Sequence, residues 1–353
     1  MPTRAGDSLP EERVPKEGLP KVIIQIPCYN EEATLGITLS ALPRQIPGAG
    51  KVEWLIINDG SRDRTVEVAR QHGVDYIVNL PRNTGLANAF MTGVSACLRA
   101  GADIIVNTDA DNQYCAGDIP KLIAPLLEGQ AEIVIGTRPI GDIQHFSRAK
   151  KFLQRLGSTV VRLASGADIE DAPSGFRAMT REAALRLRIF SKYTYTLEMI
   201  IQAGQKGIPL VSVPVRVNPD LRPSRLVKSM GRYVWRSARM ILRIFILYRP
   251  FRFFLIVGAV PSLLGALLCV RWLLLNIFEY PYTGRTHVPS LLVAVLLLLI
   301  GFQIWVFGFI ADLLAANRTL LEDVTLYLRR QEMATEAGAS QQPRNPASED
   351  APE

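Results

Sequence analysis

Two long apolar runs near the carboxyl end of the chain restrict its fold more than any other feature. The first, Phe253–Val270, has 18 residues without a charge and is extended past Arg271 by Trp272–Leu275. The second, Leu291–Ala311, has 21 uncharged residues. Because a bilayer-spanning helix needs roughly 20 apolar residues, each run is long enough to cross a membrane. A pair of buried core helices is the alternative, and two such runs in tandem disfavour it.

Basic residues around these runs predict the orientation of a membrane hairpin. Residues 221–252 contain nine Lys or Arg and no acid, residues 317–330 contain three arginines, and the connecting segment 276–290 contains one. Because short basic segments stay on the cytoplasmic side, we expect both termini in the cytoplasm and residues 276–290 outside. No apolar run follows Met1, so no signal peptide is expected.

Composition divides the chain into six segments. Residues 1–20 and 331–353 lack periodicity and are rich in Pro, Gly, Ala and charge, which predicts disordered tails. Between them we expect a cytoplasmic domain over 21–220, an amphipathic basic interfacial helix over 221–250, two transmembrane helices within 251–316 (about 253–275 and 291–312) and a juxtamembrane helix over 317–330. The four cysteines show no CxxC spacing, which fits a reducing compartment and disfavours a thiolate metal site.

The cytoplasmic domain alternates short apolar runs with helical stretches. The apolar runs are KVIIQI, VEWLII, DYIVNL, ADIIV and AEIVIG, which begin at Lys21, Val52, Asp75, Ala102 and Ala131. Strands of this length separated by helices predict an α/β domain with a mostly parallel sheet. Ligands of such sheets bind at the carboxyl ends of the strands.

Polar residues follow these strands at their carboxyl ends. They are Tyr29-Asn30-Glu31, Asp59-Gly60-Ser61, Arg82-Asn83, Asp109-Ala110-Asp111 and Thr137-Arg138. The sequence therefore predicts a polar cleft at this edge. The first strand is not followed by GxGxxG, and the chain lacks GxxxxGK[ST], which excludes the usual dinucleotide and P-loop sites.

The acidic stretch NTDADNQY is expected either to stay solvated or to surround a positive charge, because two carboxylates one residue apart repel each other when they lose water. An EF-hand is excluded, since Tyr114 and Pro120 replace its glycine and glutamate. A hard cation such as Mg²⁺ or Mn²⁺, held by Asp111, Gln113 and a diphosphate, fits oxygen ligands better. Taken alone, the pair fits a solvated turn equally well.

Six motifs together are more specific than any one of them. IPCYNEE, INDGSRDRT, RNTGLANAF, NTDADNQY, VIGTR and SGFRAM occur in this order. Over about residues 21–225 the chain resembles family-2 glycosyltransferases with the GT-A fold. The resemblance is greatest to the polyprenyl-phosphate branch, typified by dolichol-phosphate mannose synthase, whose membrane-bound members also suit the two apolar runs.

The resemblance implies roles for individual residues. Nucleotide-sugar binding is implied for Pro27, Tyr29, Asn30, Glu31, Asp59, Arg82, Asn83, Asp109 and Asp111. Metal binding is implied for Asp109, Asp111 and Gln113, with Arg138 beside the phosphates. Structural alternatives stay open: Asn30 or Glu31 could only open a helix, and Asp59-Gly60-Ser61 could be only a turn and N-cap. Arg177 could be only a structural ion-pair partner.

Two basic stripes suggest where a lipid acceptor would bind. Arg148, Lys151 and Arg155 share one helical face, and a second stripe runs from Arg225 to Arg243 opposite apolar residues. The second stripe is typical of an interfacial helix on anionic lipid, whereas the first could be a solvated face. RPSR, residues 222–225, resembles a Ser-Lys element that places the lipid phosphate, with Arg225 in place of lysine.

These observations predict an inverting, metal-dependent transferase that moves a sugar from a nucleotide-diphospho-sugar to a polyprenyl phosphate at the cytoplasmic face of the bilayer. The catalytic candidates are Asp111, Arg138, Lys151, Arg222 and Arg225. A homo-oligomer is compatible with the sequence, and no nucleic acid is expected as a partner.

Two rival interpretations remain. In the nearer one, a family-2 enzyme uses a hydroxyl acceptor and Glu198 or Asp171 is the base; in the other, the chain is a non-catalytic membrane-tethered binding protein. A processive polysaccharide synthase is disfavoured, because Leu268 stands where its Gln-x-x-Arg-Trp element needs Gln.

Overall fold

The computed structural model describes residues 18–139, 171–189, 195–219, 250–278 and 287–341, with the single positions 162, 165, 166, 169, 239, 242 and 246. Three catalytic candidates, Lys151, Arg222 and Arg225, lie outside the described residues, as do the first basic stripe and most of the second.

A seven-stranded sheet forms the centre of the α/β domain, in the order β3-β2-β1-β4-β6-β5-β7. The strands are β1 (Lys21–Cys28), β2 (Lys51–Asn58), β3 (Tyr76–Asn79), β4 (Ile104–Asn107), β5 (Ile133–Thr137), β6 (Arg177–Thr180) and β7 (Leu210–Pro214). Strand β1 pairs in parallel with β2 and β4, β2 pairs in parallel with β3, and β5 pairs in parallel with β7. Only β6 runs antiparallel to its neighbours, β4 and β5, so the sheet is mostly parallel, as the sequence predicts.

Helices cover both faces of this sheet. They are α1 (Leu35–Ala41), α2 (Thr65–Gln71), α3 (Leu86–Arg99), α4 (Ile119–Leu127), α5 (Arg181–Arg186) and α6 (Thr196–Gln205), with a short 3₁₀ turn at Ala116–Asp118. Strand β1 shows why its sequence is almost continuously apolar. Ile23 points into the core under α3, whereas Val22 and Ile24 point into the core under α1 and α4. A strand buried on both faces has no polar side to expose.

Two long helices follow the α/β domain: α7 (Pro250–Phe278) and α8 (Val288–Gln341). Both are long and apolar enough to cross a membrane. Small residues line their contact, since a Cβ at Gly265 would lie 2.8 Å from the Ala294 carbonyl oxygen and a Cβ at Gly308 would lie 2.7 Å from Cβ of Phe254. Residues later in α7 contact residues earlier in α8, so the two helices form an antiparallel hairpin. Close backbone approach at small residues is typical of helix pairs in lipid.

Helix α8 differs from the sequence-based expectation at its carboxyl end. The sequence predicted a disordered tail from residue 331, whereas the helix continues to Gln341. Gln, Glu, Met and Ala are frequent in residues 331–341, and elongating a formed helix costs far less than nucleating one. Before that point α8 touches the α/β domain. Leu326 packs against the core under α3 and α5, and Arg330 pairs with Glu182 of α5.

Candidate active site

The loop after β1 is locked to the loop after β2. Asn30 adopts a left-handed conformation (φ 55°), and its backbone N–H donates to Oγ of Ser61 at 3.0 Å. Its side-chain oxygen accepts from the backbone N–H of Arg62 at 2.9 Å, and the N–H of Glu31 donates to Oγ1 of Thr65 at 2.9 Å. Tyr29, which is 41% exposed, lies beside this junction with its ring accessible.

Asp59 joins the end of β2 to the loop that precedes α3. Its buried carboxylate accepts from the backbone N–H of Thr84 at 2.7 Å and from that of Gly85 at 3.0 Å. Gly60, at φ 71°, lies so close to the Arg82–Asn83 peptide that a Cβ would come within 2.6 Å of it. Asp59 therefore shapes the loop that presents the exposed side chains of Arg82 and Asn83.

The acidic loop after β4 has a defined shape. Asn112 is left-handed (φ 56°), and the backbone N–H of Gln113 donates to Oδ1 of Asp111 at 3.2 Å. Asn218, which follows β7, donates from its amide to the carbonyl oxygen of Asn112 at 2.9 Å and from its backbone to that of Gln113 at 2.8 Å. These contacts hold Asp111 and Gln113 at the carboxyl edge of the sheet.

Asp109 is electrostatically strained in this loop. Burial and the neighbouring charge of Asp111 raise the pKa of the Asp109 carboxyl to about 7. A divalent cation would relieve this strain, because it favours the charged form of both carboxylates. Among the described residues, no three His, Cys, Asp or Glu side chains gather at one point. The protein thus offers a cation two carboxylates and the Gln113 amide, which fits Mg²⁺ or Mn²⁺ bound partly by substrate phosphates and water.

Gly175 lies in close contact with the Asp109 carboxylate. A Cβ at this position would lie 2.8 Å from Oδ2 and 3.0 Å from Oδ1 of the carboxylate. Buried polar groups fix the glycine: its N–H donates to Oη of Tyr114 at 2.9 Å, and its carbonyl accepts from Nδ2 of Asn107 at 2.8 Å. The same Asn107 amide donates to Oη of Tyr195 at 2.9 Å.

Arg138 is paired with Asp171 below the cleft. The guanidinium Nε and Nη2 donate to the two carboxylate oxygens at 2.7 and 3.0 Å, and the Arg138 backbone N–H adds a third bond at 3.2 Å. Asp171 is completely buried, and the Arg138 side chain is 14% exposed. The pair therefore commits the Asp171 carboxylate to Arg138.

Arg177 proves to be a structural residue, although its partners are not carboxylates. It is completely buried and donates to the backbone carbonyl oxygens of Ser174, Thr196 and Ala172 at 2.8, 2.7 and 2.7 Å. Burial lowers the pKa of its guanidinium to about 10. These bonds tie the segment before β6 to the start of α6.

Several residues of the site escaped the sequence analysis. Asn107 and Gly175 lie within the NTDADNQY and SGFRAM motifs, but their support of the acidic loop, like that of Asn218, was not predicted from sequence. Asp118 and Arg216 are a further pair: the carboxylate accepts from the Arg216 backbone at 2.7 Å and from its Nη2 at 2.9 Å. Among the expected residues, Pro27, Tyr29, Asn30, Glu31 and Asp59 meet at the junction of β1 and β2.

The mostly parallel sheet carries the acidic loop and the β1–β2 junction at its carboxyl edge, where α/β proteins bind their ligands. The family model for glycosyl transferase family 2 matches residues 23–188. An uncharacterized glycosyltransferase of Mycobacterium tuberculosis is 34% identical over 205 residues, which cover 56% of this chain and 85% of the relative. The chain therefore belongs to glycosyltransferase family 2 and is a glycosyltransferase.

Two further relatives carry more specific names. The undecaprenyl-phosphate mannosyltransferase of Micrococcus luteus is 27% identical over 217 residues, 58% of this chain and 87% of the relative. The polyprenol monophosphomannose synthase of Mycolicibacterium smegmatis is 26% identical over 206 residues, 55% of this chain and 76% of the relative.

A solved structure supports the fold. The glucosyl-3-phosphoglycerate synthase of Mycobacterium tuberculosis, in complex with Mn²⁺, uridine diphosphate and glucosyl-3-phosphoglycerate, superposes with a TM-score of 0.50 at 21% identity, over 64% of this chain and 79% of that one. The likeness confirms the GT-A fold that the motifs predict.

Proposed function

We propose that the protein transfers a sugar from a nucleotide-diphospho-sugar to a polyprenyl phosphate, with inversion at the anomeric carbon. The observation that carries this proposal is the Arg138–Asp171 pair. It commits one of the two candidate bases to a cation and places a guanidinium next to the acidic loop. A guanidinium next to the acidic loop suits an acceptor that is already an anion. The names of the two polyprenyl-phosphate relatives support the same acceptor.

The donor is expected to lie across the β1–β2 junction. Tyr29 offers an exposed ring for the base, and the loop that Asp59 holds presents Arg82 and Asn83. Asp109, Asp111 and Gln113 would hold Mg²⁺ or Mn²⁺ on the diphosphate. When bound, the cation neutralises the negative charge that develops on the leaving group.

The acceptor needs positioning rather than deprotonation. A phosphate oxygen forms the bond to the anomeric carbon from the face opposite the diphosphate, and the departing diphosphate oxygen keeps the electron pair of the bond that breaks. A lipid phosphate is anionic at pH 7, so no strong base is required. The two side-chain bonds to Asp171 engage two of the five N–H donors of Arg138, which leaves the guanidinium able to contact a phosphate. Lys151, Arg222 and Arg225 are the other proposed phosphate contacts.

The hairpin of α7 and α8 is proposed to anchor the enzyme, with the catalytic domain in the cytoplasm. Its exposed face is aliphatic over the length of a bilayer core, and the basic residues lie at the end that joins the catalytic domain.

A hydroxyl acceptor is the second candidate, because Glu198 on α6 is buried and remains a possible base. The test uses purified enzyme, labelled nucleotide sugars and polyprenyl phosphate. We expect lipid-linked label that mild acid releases, since a sugar joined through phosphate is acid-labile whereas an ordinary glycoside is not.

Two variants distinguish a phosphate acceptor from a hydroxyl acceptor. Arg138→Gln alone removes the guanidinium partner of the buried Asp171 carboxylate, which costs about 3–5 kcal/mol of stability, so Arg138→Gln is combined with Asp171→Asn. This double variant should raise the KM for polyprenyl phosphate about ten-fold or more, and Glu198→Gln should change the rate little. An acid-stable product together with an inactive Glu198→Gln enzyme would replace this proposal by the hydroxyl acceptor.

A further inference from the structure

A groove of about 450 Å³ lies between three residues that precede α7 (Arg239, Leu242 and Ile246) and residues 311–318 in the middle of α8. Leu242, Ile246, Leu314 and Ala315 form its aliphatic wall, and Arg239 and Arg318 complete its lining. Arg239 belongs to the second basic stripe. Among the described residues, none of those proposed to hold the nucleotide or the cation contributes to this lining.

The hairpin contacts fix the level of the groove. Phe254, near the start of α7, meets Gly308 of α8, so the next turns of α8, up to Arg318, lie level with the beginning of α7 or beyond it. Asp312 is the first charged residue after the apolar run. The groove therefore opens where the hairpin leaves the hydrocarbon on the side of the catalytic domain.

The groove combines positive charge with aliphatic surface, the two features that bind a phospholipid at the membrane interface. Arginine is charged at every physiological pH and binds phosphate oxygens through paired N–H groups. Aliphatic side chains next to it can cover the first part of an acyl chain. Basic pockets between membrane helices on the cytoplasmic side are suited to anionic lipid headgroups.

We propose that this groove is a binding site for an anionic glycerophospholipid of the surrounding bilayer, with its phosphate between Arg239 and Arg318 and its acyl chain along Leu242 and Leu314. The site is separate from that of the reacting acceptor. A phosphate that attacks the anomeric carbon has to lie beside the acidic loop, and the groove contains no residue of that loop.

A lipid there would also stabilise the position of the catalytic domain. It would join the segment around Arg239 to α8, and α8 reaches the catalytic core at Leu326, eight residues or roughly 12 Å beyond Arg318. We therefore expect the bound lipid to raise sugar-transfer activity as well as thermal stability.

This inference rests on the proposed membrane hairpin, which is tested first. Vesicles containing the full-length protein are washed with alkaline carbonate. Protein that leaves the vesicles would contradict the membrane anchor itself, whereas retained protein allows the lipid site to be judged separately.

The lipid test measures phosphatidylglycerol bound to the detergent-purified full-length protein by native mass spectrometry, with phosphatidylcholine as the neutral lipid. Arg318→Gln and Arg239→Gln should each weaken phosphatidylglycerol binding about ten-fold, the effect of one charge-assisted contact. Arg271→Gln is the matched control, because Arg271 is exposed near the other end of α7 and the charge change is identical. It should bind like the wild type.

A third variant distinguishes a groove from diffuse surface charge. Ala315→Trp fills the groove but keeps both arginines, and it should also lose phosphatidylglycerol. Normal binding by Ala315→Trp, or equal losses in Arg271→Gln and Arg318→Gln, would overturn the site. Displacement of phosphatidylglycerol by equimolar polyprenyl phosphate would reassign the groove to the acceptor. Unfolding temperatures identify any variant that fails to fold, and the paired arginine variants then decide the result.

Discussion

Replacing Gly175 by alanine tests the proposed cation site without removing any of its ligands. The added Cβ would lie 2.8 Å from Oδ2 and 3.0 Å from Oδ1 of Asp109. Ordinary contact begins at 3.4 Å, so the two oxygens have to retreat by 0.6 and 0.4 Å. Catalytic groups need to be held within about 0.5 Å of their productive positions. Gly175→Ala therefore displaces the carboxylate by about the 0.5 Å within which a catalytic group has to be held.

The expected loss of activity follows from that displacement. Because a misplacement of about 1 Å costs on the order of 10²-fold in rate, we expect Gly175→Ala to lower transfer by a factor between about 10 and 100. Stability should fall by about 1–3 kcal/mol, which is typical of an overpacked position. The assays are Mn²⁺ titration of sugar transfer, Mn²⁺ binding by calorimetry in the presence of nucleoside diphosphate, and urea unfolding.

Gly136→Ala is the matched control for this variant. Its Cβ would lie 3.1 Å from side-chain atoms of Phe176 and Val215, so it overpacks the core next to the site without touching a carboxylate. It should lose stability and keep its Mn²⁺ affinity. If Gly175→Ala binds Mn²⁺ and turns over like the wild type, or if both variants lose Mn²⁺ affinity equally, the position of Asp109 does not govern cation binding.

Three further predictions concern the acidic loop, pH and topology. Asp111→Asn keeps an oxygen for the Gln113 N–H but loses its charge, so transfer should fall on the order of 10²-fold and lose its Mn²⁺ dependence; near-normal transfer with chelator present would refute the assignment. Burial raises the pKa of Asp118, but hydrogen bonds from Arg216 and the contact with Lys121 outweigh it and lower that pKa to about 2 from the ordinary 3.8. A lowered folded-state pKa stabilises the protein above pH 4, so about 2 kcal/mol should be lost as pH falls from 4 to 2, and urea unfolding of Asp118→Asn should lack this slope. In a cysteine-free background, Thr283→Cys should react with an impermeant thiol reagent from outside and Thr319→Cys should not; the reverse pattern would contradict the orientation.

Strands β1 to β5 could be predicted from sequence because each lies in a mostly apolar run followed by polar residues. Strands β6 and β7 were missed. Strand β6 runs antiparallel between β4 and β5, a position that only tertiary pairing determines. The end of α8 was missed because composition predicted disorder where an existing helix simply continues.

Some residues of the site could likewise be predicted from sequence, and others could not. Carboxyl ends of parallel strands meet at one edge, so Asp59, Asp109 and Asp111 could be placed there from sequence alone. The residues that contact and position the site come from distant parts of the chain. Asp171 reaches Arg138 across 33 residues and Asn107 reaches the Gly175 carbonyl across 68, so these contacts depend on the path of the chain rather than on spacing.

The length of α8 constrains how the proposed reaction meets the membrane. Asp312 is the first charge after the apolar run, and Leu326 docks on the catalytic core fourteen residues later, roughly 21 Å along the helix. With the hairpin in the bilayer as proposed, the continuity of α8 holds the core at this contact outside the hydrocarbon. A polyprenyl phosphate keeps its charged head at the interface, so under the proposed function Arg222 and Arg225 are expected to position that head toward the acidic loop.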